Sequence, residues 1–215
     1  MAMYAAHPSP ELTERFVAKP YQGVVPELAT FLFVGLDANY DPGVASRPIF
    51  RELLAYHDDG VAFWRRTQVH HPFLLPGYSG DGRFYHQSFA RIGFAPRHAS
   101  LVSFVELLHL PTVGRNSLEV DDLDPAHLRR INAAILTGNA KHIFVPSQVA
   151  RLMRQSRAFP WFPAQPQTQA QVLPVLHAEN GRTVYLHLHF SNYGKFQQRK
   201  DAEAKAIARL IPEDG

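Results

Sequence analysis

At 215 residues the chain is long enough to bury a sizeable core, and it is read as one domain over residues 1–215. Hydrophobic residues make up 46% and charged residues 19%, an ordinary globular mix, and the absence of cysteine excludes disulfides, a catalytic thiol and a cysteine-ligated metal centre. The formal charge of +3 permits phosphate-rich partners without requiring them, and no apolar run reaches the roughly 18–20 residues of a membrane span.

In chain order, Ser9 followed by Pro10 and Glu11 reads as a helix start. Thr30 to Leu36 is a near-continuous apolar run that predicts a buried strand, and Asp37, Asn39, Asp41, Pro42 and Gly43 follow at once. A helix is expected over Ile49 to His57, with Phe50, Leu53, Leu54 and His57 on one face. Val69 to Arg83 is too rich in proline and glycine for a regular element and predicts a long loop. Phe84 to Ile92 reads as a helix ended by Gly93.

Residues 100 to 107, "SLVSFVEL", predict a second strand, and "LPTVGRNS" a loop. Asp124 before Pro125 is a cap and first-turn pair for a helix running toward Gly138. "HIFVPS" predicts a third strand, with Ser147 capping the helix that follows. A Pro/Gln-rich loop, residues 160 to 171, leads into "QVLPVLHA", where Pro174 argues against a central strand. "TVYLHLHF" is the last strong strand and "QRKDAEAKAIARLI" the last helix.

Strands alternating with helices imply an α/β fold, a mostly parallel sheet covered on both faces. Functional residues should then gather on the loops after Leu36, Glu106 and His189, because ligands meet such sheets at the carboxyl ends of the strands. Asp37 is placed to reach that cleft, whereas Asp41-Pro42-Gly43 reads as turn chemistry. Alternation puts Tyr185, His187 and His189 on one side of the last strand. His187 lies deeper and reads as a core residue, while His189, at the end, can face a cleft. The His-x-His pair with Asp37, and His70 and His71 in reserve, also admits a metal-dependent hydrolase, although no established ligand motif is present.

Three segments, "VGLDANYDPG", "FVELLHLPTVGRNSLEV" and "LHLHFSNYG", together resemble the uracil-DNA glycosylase superfamily, nearest its mismatch-specific uracil and thymine branch. The resemblance spans roughly residues 30 to 210. It implies a three-layer α/β fold with a central, mostly parallel four-stranded sheet and helices on both faces. It implies a glycosylase that needs no metal or cofactor and acts on DNA with a damaged or mismatched base; a monomer is expected, and the absence of cysteine fits a reducing cytoplasm. By position, Gly35-Leu36-Asp37 matches the strand end whose acid holds the hydrolytic water, and His189-Phe190-Ser191 matches a late His-Pro-Ser motif that lacks its proline here.

On that resemblance Asp37 and His189 are the catalytic pair, and Ala38, Asn39, Phe50 and Glu106 face the base. Ser191, Asn192, Tyr193, Lys195 and Arg199 face the DNA, with Phe196 as a further wedge candidate. Ala38, Phe190 and Glu106 depart from the family pattern, which admits a catalytically idle relative that only binds nucleic acid or a nucleobase. As a carboxylate, Glu106 accepts hydrogen bonds but does not donate them.

Overall fold

The computed structural model describes residues 4–114, 117–168 and 172–213. Its strands are β1 (Ala5–Ala6), β2 (Tyr21–Gly23), β3 (Phe31–Gly35), β4 (Ala38–Tyr40), β5 (Val102–Glu106), β6 (Pro111–Val113), β7 (His142–Pro146), β8 (Val175–Glu179) and β9 (Arg182–His187). Its α-helices are α1 (Pro10–Ala18), α2 (Ile49–Asp58), α3 (Gly60–Thr67), α4 (Arg83–Ala90), α5 (Pro125–Thr137), α6 (Ser147–Gln155) and α7 (Gln197–Ala208).

The main sheet has the order β2-β5-β3-β7-β9-β8. It is six-stranded and mixed, rather than four-stranded as expected. The inner strands β5, β3, β7 and β9 run parallel, while β2 and β8 pair antiparallel at the two edges. The edge strands escape a periodicity reading because β2 has only three residues and β8 begins directly after Pro174. Pro174 therefore marks an edge, where a missing N–H is tolerated.

Side-chain alternation explains why the parallel strands are so apolar. Leu32 and Val34 of β3 join one core cluster with Ile131 and Ile135 of α5 and Val149 and Leu152 of α6. Phe31 and Phe33 point the other way, into a cluster with Trp64 of α3, Phe89 of α4 and Ile207 of α7. Both faces are therefore buried, which a near-continuous hydrophobic strand requires.

A second, small sheet, β1-β6-β4, grows from the segment after β3. The predicted "LPTVGRNS" loop is thus partly strand: β6 pairs parallel to β4, with Ala38 opposite Pro111 and Asn39 opposite Thr112. Arg115 and Asn116 of that segment lie outside the described residues, as do Gln169 to Gln171 of the Pro/Gln-rich loop. Helix α3 lies before the expected loop and was not foreseen, and the start of that loop folds inward, burying His70, His71, Pro72 and Phe73. Ser147 is the first residue of α6 rather than its cap, and Pro146 occupies the cap position without a side-chain bond. Ser9 and Asp124 cap α1 and α5 as read.

Candidate active site

Taken in chain order, the four parallel strands lie 2-1-3-4 across the sheet. The winding direction reverses between β3 and β7, the kind of switch point where a crevice opens at the carboxyl ends. Asp37 follows β3, Glu106 ends β5, and His189 follows β9 by two residues. These three meet at one rim. His189 lies beyond the last strand rather than on it, so the loop around it, not strand alternation, sets its direction.

The small sheet explains how Asp37 is held. The buried Thr112 hydroxyl donates to Asp37 Oδ2. Asn39 Nδ2 in turn donates to Thr112 Oγ1 at 3.0 Å and to the Gly114 carbonyl at 2.7 Å. The amide orients the hydroxyl, and the hydroxyl fixes one carboxylate oxygen. Asn39, expected against the base, is exposed and spends its amide on this relay. The Asp41 turn is as read, with Oδ1 accepting from Gly43 N at 2.8 Å and Oδ2 pairing with Arg47 at 3.0 Å.

Glu106 sits directly across from Gly35 in the parallel pair β3/β5. Its carboxyl lies over the glycine: a Cβ there would come within 1.9 Å of Oε2. Gly35 leaves the room for this close approach, and a larger residue there would push the Glu106 carboxyl aside. Burial, with the Asp37 charge adding to it, pushes the Glu106 carboxyl up to about 8. Burial raises the phenols of Tyr40, Tyr56 and Tyr85, from β4, α2 and α4, and the Glu106 charge adds to each.

His189 faces this group. Its Nδ1 accepts from Ser191 N at 3.3 Å, so the neutral ring carries its proton on Nε2. Burial lowers its pKa against the opposing charge of Asp37, with Lys200 lowering it further. Near neutral pH the ring is a neutral donor. Tyr85 packs on it with ring centroids 5.5 Å apart.

Helix α7 pins the loop on both sides of His189. Glu203, only 4% exposed, accepts from Leu188 N at 2.8 Å and from Arg199 Nε at 2.9 Å. Lys200, 7% exposed, donates to the Phe190 carbonyl at 2.9 Å, the Asn192 carbonyl at 2.7 Å and Ser88 Oγ at 2.7 Å. Every proton of the ammonium is used. We expect Lys200→Met to destabilise the fold by about 2–4 kcal/mol, because buried carbonyls lose their donor. Thermal melting checks this; an unchanged midpoint would mean that the carbonyls re-pair.

The remaining expected site residues are dispersed. Phe50 is 8% exposed and packs with Tyr40, Phe73 and Leu53, with Ala38 against that cluster, so most of its ring is spent in the core. His187 is buried against Phe33, Phe144 and Phe190, and burial takes its pKa down to about 3. His70 and His71 sit in an aromatic cluster with His86, whose ring stacks on His71 at 3.5 Å. Among the described residues no group of three or more His, Asp or Glu side chains could hold a metal ion, so His187, His189 and Asp37 do not form the ligand set considered above. Ser191, Tyr193, Lys195 and Arg199 are exposed beside the His189 loop, Tyr193 at 77%, whereas Asn192 is half-buried.

Thr112, Tyr85, Lys200 and Glu203 escaped the sequence reading. For the last two a signal exists, since Lys200, Glu203, Ala204 and Ile207 fall on one helical face. For Thr112 and Tyr85 none does.

No protein-family model matches the chain, and no curated protein matches it. Functional assignment therefore stands on the site itself. Among the described residues no helix is long and apolar enough to cross a membrane.

Proposed function

We propose that this chain is a DNA base-excision glycosylase that hydrolyses the N-glycosidic bond of a damaged or mismatched base. One observation carries the reading: an oriented carboxylate, Asp37, and a neutral histidine donor, His189, converge from two parallel strands, near enough for the Asp37 charge to act on the ring. N-glycoside hydrolysis builds positive charge on the sugar and negative charge on the departing base. Asp37 holds the attacking water and faces the oxocarbenium, while His189 Nε2–H stabilises the leaving base. The likeness of the three sequence segments to uracil-DNA glycosylases supports the same assignment.

The target base must leave the duplex to reach such a rim. Tyr193 and Phe196 are exposed apolar rings one loop away from His189, and Lys195 and Arg199 stand beside them for phosphate contact. The chain thus binds DNA through its α7 end. The test is incubation with duplexes carrying uracil, a mismatched thymine, hypoxanthine or xanthine, followed by detection of abasic sites. Base release from at least one is expected. Folded protein that releases none overturns the reading, and salt-dependent DNA binding without release would favour the idle relative.

A further inference from the structure

We infer that Glu106 is a second catalytic carboxyl group, which hands its proton to the departing base as the glycosidic bond breaks. This rests on the glycosylase reading and adds to it a general acid and a preference for deaminated bases. The geometry comes first. Glu106 ends β5 directly opposite Gly35, two residues from Asp37 along the neighbouring strand, and its carboxyl overlies a position kept free of any side chain. Its backbone carbonyl accepts from His127 Nε2 at 2.8 Å, which fixes the residue. Its carboxyl makes no hydrogen bond among the described residues, so its proton is available to a ligand.

The site therefore holds two carboxyl groups in different settings. Asp37 is oriented by Thr112, whereas the Glu106 carboxyl feels burial and, added to it, the Asp37 charge. Such pairs divide into an acid and an anion when their environments differ. Among the described residues, the titratable groups electrostatically linked to Glu106 are Asp37 after β3, Tyr40 of β4, Tyr56 of α2 and Tyr85 of α4, with His127 of α5 at its backbone. Burial holds the phenols neutral well above physiological pH and His127 neutral below it. None of them brings a cation to the Glu106 carboxyl, and the neutral acid persists up to about pH 8.

The step balances as follows. The C1′–N bond breaks and its electron pair passes to the base nitrogen. The Glu106 O–H proton moves to a carbonyl oxygen or ring nitrogen of the base. A water oxygen bonds to C1′, and the proton that water sheds returns through solvent to the Glu106 carboxylate. A neutral carboxyl presents O–H and C=O side by side, which complements the adjacent C=O and N–H of a deaminated, oxo-bearing base.

The experiment uses Glu106→Gln, which keeps shape and hydrogen bonding but cannot release a proton, on the best-cleaved duplex of the lesion panel. Single-turnover release at pH 7 should fall roughly 10²-fold, the usual scale of general acid catalysis. The parent's rate should decline above about pH 8, and the variant should lose that decline. Affinity for the same duplex made uncleavable by a 2′-fluoro sugar should not change. Infrared spectra of the parent at pH 7 should show a protonated carboxyl band that is missing in Glu106→Gln. A loss of affinity matching the loss of rate would make Glu106 a base reader only and overturn the step. A parent rate with no decline above pH 8, or no such band, overturns it as well. An inactive parent overturns the glycosylase reading itself, a result separate from all of these.

Discussion

Asp37→Asn should slow base release by roughly 10²–10³ while leaving the fold intact, the scale seen when one preorganised electrostatic contact is removed. The amide occupies the same space, and its oxygen can still accept from the Thr112 hydroxyl, so the Asn39–Thr112 relay survives. What disappears is the charge facing the oxocarbenium. Two secondary effects have fixed directions. The Glu106 carboxyl should titrate lower, since the Asp37 charge is one of the two causes that raise it. His189 should become harder to protonate, since that same charge is what opposes its burial. DNA affinity should hold or rise slightly, because one negative charge near phosphates has gone. Single-turnover cleavage, DNA binding and thermal melting on the same preparations check all of this. Cleavage at the parent rate would reduce Asp37 to a turn residue, and a melting point far below the parent's would make its role structural.

The protein should unfold cooperatively in mild acid, below about pH 5. Burial lowers His57 to about 4 and His70 and His187 to about 3, from an ordinary value of 6.5. His71 is also held well below its ordinary range, by burial and then by His70. The sign follows from proton uptake. Between these folded values and 6.5 the unfolded chain binds protons that the folded chain does not, so stability falls as pH drops through that window. At pH 4.5 each of His57, His70 and His187 costs about 2–3 kcal/mol, and together they approach the whole of an ordinary domain's stability. Glu106 acts oppositely: its raised value means the folded state holds the extra proton between 4.5 and about 8, so its own contribution fades as pH rises there. Stability should therefore peak near neutrality and fall steeply on the acid side. Melting followed by circular dichroism from pH 7.5 to 4 measures it. His187→Leu, which removes one of these groups from beside Phe33, Phe144 and Phe190, should move the acid transition to lower pH. A melting point that stays flat from pH 7 to 4.5 would refute neutral burial.

The sequence by itself determined the α/β alternation, the strands β3, β5, β7 and β9, and the acid waiting after the first of them. Those features are local. A fully buried strand must be apolar throughout, and the carboxylate that follows it has nowhere to point but the rim. Caps at Ser9 and Asp124 were legible for the same reason, since a cap bonds its own helix. Tertiary structure alone decided what those residues do. That Asn39 serves Thr112 rather than a base depends on β4 and β6 pairing across some seventy residues of chain, and strands of three residues carry no period to read. That Phe50 is spent in the core depends on where α2 packs. Whether Glu106 is an acceptor or an acid depends on how deeply it is buried and how near Asp37 comes, because protonation responds to burial and neighbouring charge, and the order of residues records neither.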